Sequence, residues 1–189
     1  MITNIMIVGV GGQGSLLASK LLGRLLMDRG YDVKVSEVHG MSQRGGSVVT
    51  YVRFGDKVFS PIIDKGEADF IVSFEKLEAA RWLEYLKSDG KVIVNTQEID
   101  PMPVITGAAK YPEKLIEKME ALGVNVDAVD ALALAEKAGS AKAVNMVLMG
   151  RLSRYFSFEE KLWQDAIDVS VPSKLLTINR NAFALGRGT

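Results

Sequence analysis

Two glycine-framed segments carry most of the chemistry-bearing residues of this 189-residue chain. Gly9-Val10-Gly11-Gly12-Gln13-Gly14 follows the apolar run Ile5-Met6-Ile7-Val8. His39-Gly40-Met41-Ser42-Gln43-Arg44-Gly45-Gly46 follows a second run, residues 31–38. In the first segment Gly9, Gly11 and Gly14 fit G-x-G-x-x-G between a strand and a helix. Glycine permits the sharp turn and lets a phosphate approach the backbone with no Cβ in its way. The helix that follows would add free N–H donors and its positive dipole end. Glu37 then stands where an acidic residue binds the ribose of NAD. In the second segment Arg44 can hold a carboxylate or phosphate in a two-point contact. Gln43 can bond a carbonyl or amide, and His39 can shuttle a proton near neutral pH.

Each feature has a plainer reading. The first loop, with Gly12 and Gln13 completing it as a phosphate or anion site, equally suits a tight strand–helix turn with nothing bound. In the second loop Gly45 and Gly46 are candidate ligand-binding positions, or residues that merely supply positive φ. Arg44 could brace carbonyls or a partner's acid. His39, Gln43 and Arg44 are the catalytic candidates, none of them assigned. Glu75 reads as a dipole-complementing residue in a helix first turn, Glu78 with Arg81 as an exposed helix pair, and Asn145 as a satisfied buried amide.

The elements that must position these residues follow from periodicity. Residues 5–8 read as a buried strand, and Leu16, Leu17, Leu21, Leu22, Leu25 and Leu26 as a helix that Gly30 ends. Residues 31–38 alternate as a second strand. Val48, Thr50, Val52 and Phe54 share a strand face, Gly55-Asp56-Lys57 reads as a turn, and Val58-Phe59-Ser60 as the returning arm of a hairpin. Strands follow at 68–72, 91–95 and 124–129. Between them lie a helix capped by Ser73 and running to Tyr85, and a stripe of Leu115, Ile116, Met119 and Leu122 closed by Gly123. From 130 onward the pattern is helical: 131–137, 143–156, 159–168 and 174–185, the last capped by Ser173 and stopped by Gly186. The expected fold is a single α/β, Rossmann-like three-layer domain over 1–189, with a mainly parallel sheet, a β-hairpin and a helical C-terminal end. In a parallel sheet both glycine loops leave the carboxyl edge, where ligands of open α/β sheets bind.

Composition narrows the classes. Lys plus Arg and Asp plus Glu are 23 each, so no basic nucleic-acid footprint is expected. With no cysteine the chain offers no thiolate to a disulfide, zinc or iron–sulfur cluster, and one histidine cannot build a His-rich metal centre. No stretch reaches the roughly 20 apolar residues of a membrane span, so a cytoplasmic protein is expected. Apolar residues make up 48% of the chain, enough that part of the apolar surface is expected to lie against a partner.

The chain resembles the gamma-type subunits of 2-oxoacid:ferredoxin oxidoreductases, and within them the indolepyruvate branch. The resemblance spans nearly the whole sequence. It rests on 9–14, on the long motif Ser36-Glu37-Val38-His39-Gly40-Met41-Ser42-Gln43-Arg44-Gly45-Gly46-Ser47-Val48, and on Val52-Arg53-Phe54-Gly55. Ser60-Pro61, Gly66-Glu67-Ala68-Asp69, Val144-Asn145 and Asn181-Ala182-Phe183 add to it. It implies a smaller subunit, inactive alone, of an enzyme that decarboxylates a 2-oxoacid and passes electrons to ferredoxin, with CoA as co-substrate. It also implies that a larger partner subunit holds thiamine diphosphate, Mg2+ and [4Fe-4S] clusters, and that the isolated chain could form a homodimer. The alternatives are a stand-alone NAD(P)-binding oxidoreductase using the first loop and Glu37, and a non-catalytic interaction module.

Overall fold

The structure is a computed structural model that describes residues 2–40 and 45–188. Its sheet is built on β1 (Ile2–Val10), whose residues 4–9 are all buried. An apolar run of that length has no solvent face, so it must be covered on both sides. β1 pairs in parallel with β4 (Ala68–Ser73), and antiparallel along its full length with β3 (Ser47–Gly55). β3 in turn pairs antiparallel with β2 (Asp32–His39), while β5 (Leu86–Asn95) and β6 (Asn125–Val129) extend the parallel side. The strand order is β2-β3-β1-β4-β5-β6.

Alternation along β1 assigns the layers. Ile5 and Ile7 face α1 (Ser15–Asp28), whose Leu21, Leu22, Leu25 and Leu26 are buried with them. The same layer holds α5 (Ala131–Lys137), α6 (Val144–Ser153), α7 (Glu160–Ser170) and α8 (Leu176–Gly188). Met6 and Val8 face the opposite layer, with Ala79 of α2 (Lys76–Arg81) and Met119 of α4 (Leu115–Ala121). A four-residue helix, α3 (Met102–Ile105), sits outside both layers, with Met102 and Ile105 exposed. The three-layer α/β expectation holds.

Several finer expectations do not. The hairpin is β2–β3, not 48–54 with 58–60. Val58 instead donates its N–H to Asp32 at 2.8 Å, and the segment forms no strand. The helix after β4 is capped by Glu75, which accepts from the Glu78 N–H at 2.9 Å, while the Ser73 hydroxyl bonds the Glu75 carbonyl. That helix ends at Arg81, and a short 3-10 turn, Leu83–Tyr85, leads into a strand that begins at Leu86 rather than at 91. Pro172, not Ser173, precedes the turn that leads into α8.

Gly186 does not stop α8, which continues to Gly188. It is where α8 crosses α6: a methyl group there would run into the Val147 carbonyl oxygen, and one on Gly150 of α6 into that of Phe183. These helices meet backbone to backbone, so each glycine is required by space rather than by φ. Gly186→Ala is therefore expected to destabilise the chain by about 1–3 kcal/mol through overpacking. Gly188→Ala, with open space around the added carbon, should stay within about 0.5 kcal/mol of wild type. Urea unfolding of the two variants checks this.

Candidate functional site

Because β3 lies antiparallel between β1 and β2, those two strands run the same way and their following loops leave one edge. The loops do more than share an edge. The Gly11 N–H donates to the Gly46 carbonyl at 2.8 Å, and the Gly45 N–H to the Gly11 carbonyl at 3.4 Å. The two segments singled out from the sequence thus form one joined structure. Gln43 and Arg44 lie outside the described residues; His39, on β2, is exposed, with Nδ1 at 3.3 Å from the Gly40 carbonyl oxygen.

Local packing accounts for much of the first loop. A Cβ on Gly9 would sit 2.9 Å from both Gln13 Oε1 and Phe74 Cβ. Gln13 folds back over the sheet: its Oε1 accepts from the Val10 N–H at 2.7 Å and its Nε2 donates to the Phe74 carbonyl at 3.1 Å. Gln13 thus ties the end of β1 to the end of β4, the two strands between which the strand order reverses. Gly14 precedes α1 in the left-handed region (φ 92°), and a Cβ on it would lie 2.9 Å from Asn145 Nδ2. Asn145 is buried as expected, donating to the Gly14 carbonyl at 3.3 Å and accepting from the Met146 N–H at 2.9 Å.

Three clefts open along this edge. One, of about 360 Å³, lies on the α1 side between Gly12, Ser15, Glu37 and His39. No side chain caps α1 and its first turn has no acidic residue, which leaves N–H donors for a ligand. Glu37 shares the cleft, however, and a carboxylate there works against a bound anion. A second cleft, of about 540 Å³, lies between Gly12, Gln13, Gln97 and Lys142.

The third, of about 520 Å³, lies on the α2 side between Gly45, Gly46 and Ser47 and the apolar Pro101, Met102 and Ile105. Glu75 and Glu78, which also line it, are not an ordinary helix start with an exposed ion pair: they are only 1% and 4% exposed. Glu75 accepts from the Tyr111 hydroxyl and from the Ile99 N–H at 3.3 Å. Burial, reinforced by that carboxylate, pushes the Tyr111 phenol well above its usual range. Glu78 accepts from the Ser47 hydroxyl, and its other oxygen lies 3.5 Å from Arg81 Nε. Burial raises the Glu78 carboxyl above its usual range, against the lowering effect of Ser47 and Arg81. The place of this cluster, though not its burial, was legible in the sequence. Two acids one helical turn apart follow β4 directly, and a helix that follows a parallel strand starts at the carboxyl edge.

The match to the pyruvate ferredoxin/flavodoxin oxidoreductase family covers residues 4–189, and the chain belongs to that family. It is 46% identical to the indolepyruvate oxidoreductase subunit IorB of Thermococcus kodakarensis, over 97% of this chain and 93% of that one. It is 42% identical to the subunit of the same name from Archaeoglobus fulgidus, over 97% and 92%. Among solved structures it resembles pyruvate oxidoreductase subunit PORC of Thermotoga maritima (TM-score 0.74, 20% identity, 99% and 96% of the two chains). It also resembles 2-oxoglutarate:ferredoxin oxidoreductase of Magnetococcus marinus (TM-score 0.73, 17% identity). There the match covers 99% of this chain but 30% of the other, so the same fold occurs within a longer polypeptide.

A carboxyl whose folded pKa is raised favours folding below its unfolded value, near 4.5, and loses that contribution as pH rises through the folded value. Glu78→Gln removes this titration. Its melting temperature should therefore gain on wild type as pH is raised from 4.5 toward neutrality, by differential scanning fluorimetry across that range.

Proposed function

We propose that this chain is the smaller subunit of a thiamine- and iron–sulfur-dependent 2-oxoacid:ferredoxin oxidoreductase. Its substrates are indolepyruvate or other arylpyruvates, which the complex converts with CoA and oxidised ferredoxin to aryl-acetyl-CoA, CO2 and reduced ferredoxin. The observation that carries this reading is near full-length identity to proteins named as indolepyruvate oxidoreductase subunits. The chain's own residues do not fit the redox groups. It has no cysteine for a cluster, and the described residues contain no group of three or more His, Cys, Asp or Glu able to hold a metal ion. In this reading thiamine diphosphate, Mg2+ and the clusters are held by the larger partner subunit.

What this chain contributes is positioning. The joined loops face the larger subunit, with Arg44 and Gln43 holding an anionic group of substrate or CoA and His39 beside them. A charge-assisted hydrogen bond of this kind is worth about 1.5–3 kcal/mol, or about tenfold or more in affinity or rate. The stand-alone NAD(P) reading has less support, because the family match covers residues 4–189 and the similar proteins are named as subunits.

Co-expression should yield this chain together with a larger, cysteine-rich, brown subunit. In the assembled complex Arg44→Ala should lower turnover or CoA affinity by about tenfold, assayed with 2-oxoacid, CoA and an electron acceptor. Wild-type values for both would remove the role given to Arg44. Titration of the isolated chain with NADH should show weak binding or none; tight binding would favour the dehydrogenase reading.

A further inference from the structure

The second glycine loop is tied down from two directions. On the β1 side the Gly11–Gly46 and Gly45–Gly11 backbone bonds hold it. On the α2 side Ser47, the first residue of β3, donates its hydroxyl to Glu78. Glu78 cannot swing freely, because the turn that carries it is itself anchored. Its N–H bonds Glu75 Oε2 at 2.9 Å, the Lys76 N–H bonds the Gln97 carbonyl at 3.2 Å, and the Leu77 N–H bonds the Tyr111 hydroxyl at 3.2 Å. Glu75, behind it, is held by Tyr111 and the Ile99 N–H.

A carboxyl buried this far is costly unless its bonds fix something that an apolar side chain could not. Arg81 does not explain it, since that side chain is 48% exposed and reaches only the oxygen that Ser47 leaves free. What the bond to Ser47 fixes is the point where the second loop re-enters the sheet. It also sets one wall of the 520 Å³ cleft against the other, made by Pro101, Met102 and Ile105.

We propose that Glu78 is a positioning residue which, through Ser47, latches Gly45, Gly46 and the start of β3 to helix α2 and so sets where they stand at the carboxyl edge. Its consequence for turnover rests on the subunit reading above, in which that loop faces the partner. Glu78→Gln keeps a side chain able to bond Ser47, whereas Glu78→Ala and Ser47→Ala each remove the bond.

Two measurements separate the latch from its consequence. The first is amide hydrogen exchange on the full isolated chain. Exchange at Gly11 and Gly45 should speed up by about tenfold in both alanine variants and stay at the wild-type rate in Glu78→Gln. The second is steady-state kinetics of the assembled complex. The alanine variants should lose about tenfold or more in kcat at unchanged KM for the 2-oxoacid. Glu78→Gln should restore kcat, and the double alanine variant should be no worse than either single one. Wild-type exchange in Ser47→Ala, or a Glu78→Gln variant as impaired as Glu78→Ala, overturns the latch. Ser47→Ala carries the test even where Glu78→Ala fails to fold. Faster exchange with wild-type turnover upholds the latch and removes the role given to the loop.

Discussion

The antiparallel insertion of β3 between two strands that run the same way is the constraint on which the site depends. A simple βαβ unit would have placed β2 beside β1 with evenly spaced loops. Here β3 pairs with nine residues of β1 and eight of β2, so the chain leaving β2 must double back at once. That return brings Gly45 and Gly46 against Gly11 of the first loop. There the two backbones lie within hydrogen-bonding distance, and the contact is made by peptide groups rather than side chains. Such a contact tolerates change in neighbouring side chains but not displacement of either strand.

From this contact the rest of the edge follows in both directions. Toward α1, Gly14 brings Asn145 of α6 against the loop, so α6 and the α8 that crosses it at Gly150 and Gly186 support the site from behind. Toward α2, Ser47 and Glu78 join the same loop to the 97–111 segment through Glu75 and Tyr111. An edge held this way is preorganised, and a preorganised surface loses less freedom on binding than a mobile one.

The parts legible in the sequence were those set by local rules. The buried run of β1, the leucine stripe of α1, the two glycine loops and the buried Asn145 all followed from periodicity and glycine placement. The parts that escaped were set by long-range pairing. Val48, Val52 and Phe54 alternate as any strand would, and nothing local says that they pair with Gly9, Ile5 and Thr3 on one side and with β2 on the other. Gly186 has the form of a helix stop, yet its role depends on the Val147 carbonyl of α6, far earlier in the chain.

Glu75 and Glu78 show why burial of charge is the hardest feature to read from a sequence. At i and i+3 in a first turn, acids are favoured by the dipole whether exposed or buried, so their spacing carries no information about solvent. Two facts from outside the helix bury them: the return of β3, which brings Ser47 over α2, and the passage of residues 97–111 across its first turn, which brings Tyr111 to Glu75. Once there, Glu75 is bonded on both oxygens and Glu78 to the Ser47 hydroxyl, so displacing either would strand a buried polar group. The same burial that raises the Glu78 carboxyl therefore makes it a rigid tether. In the proposed latch that tether fixes the start of β3, at the edge where Gly45 and Gly46 meet Gly11.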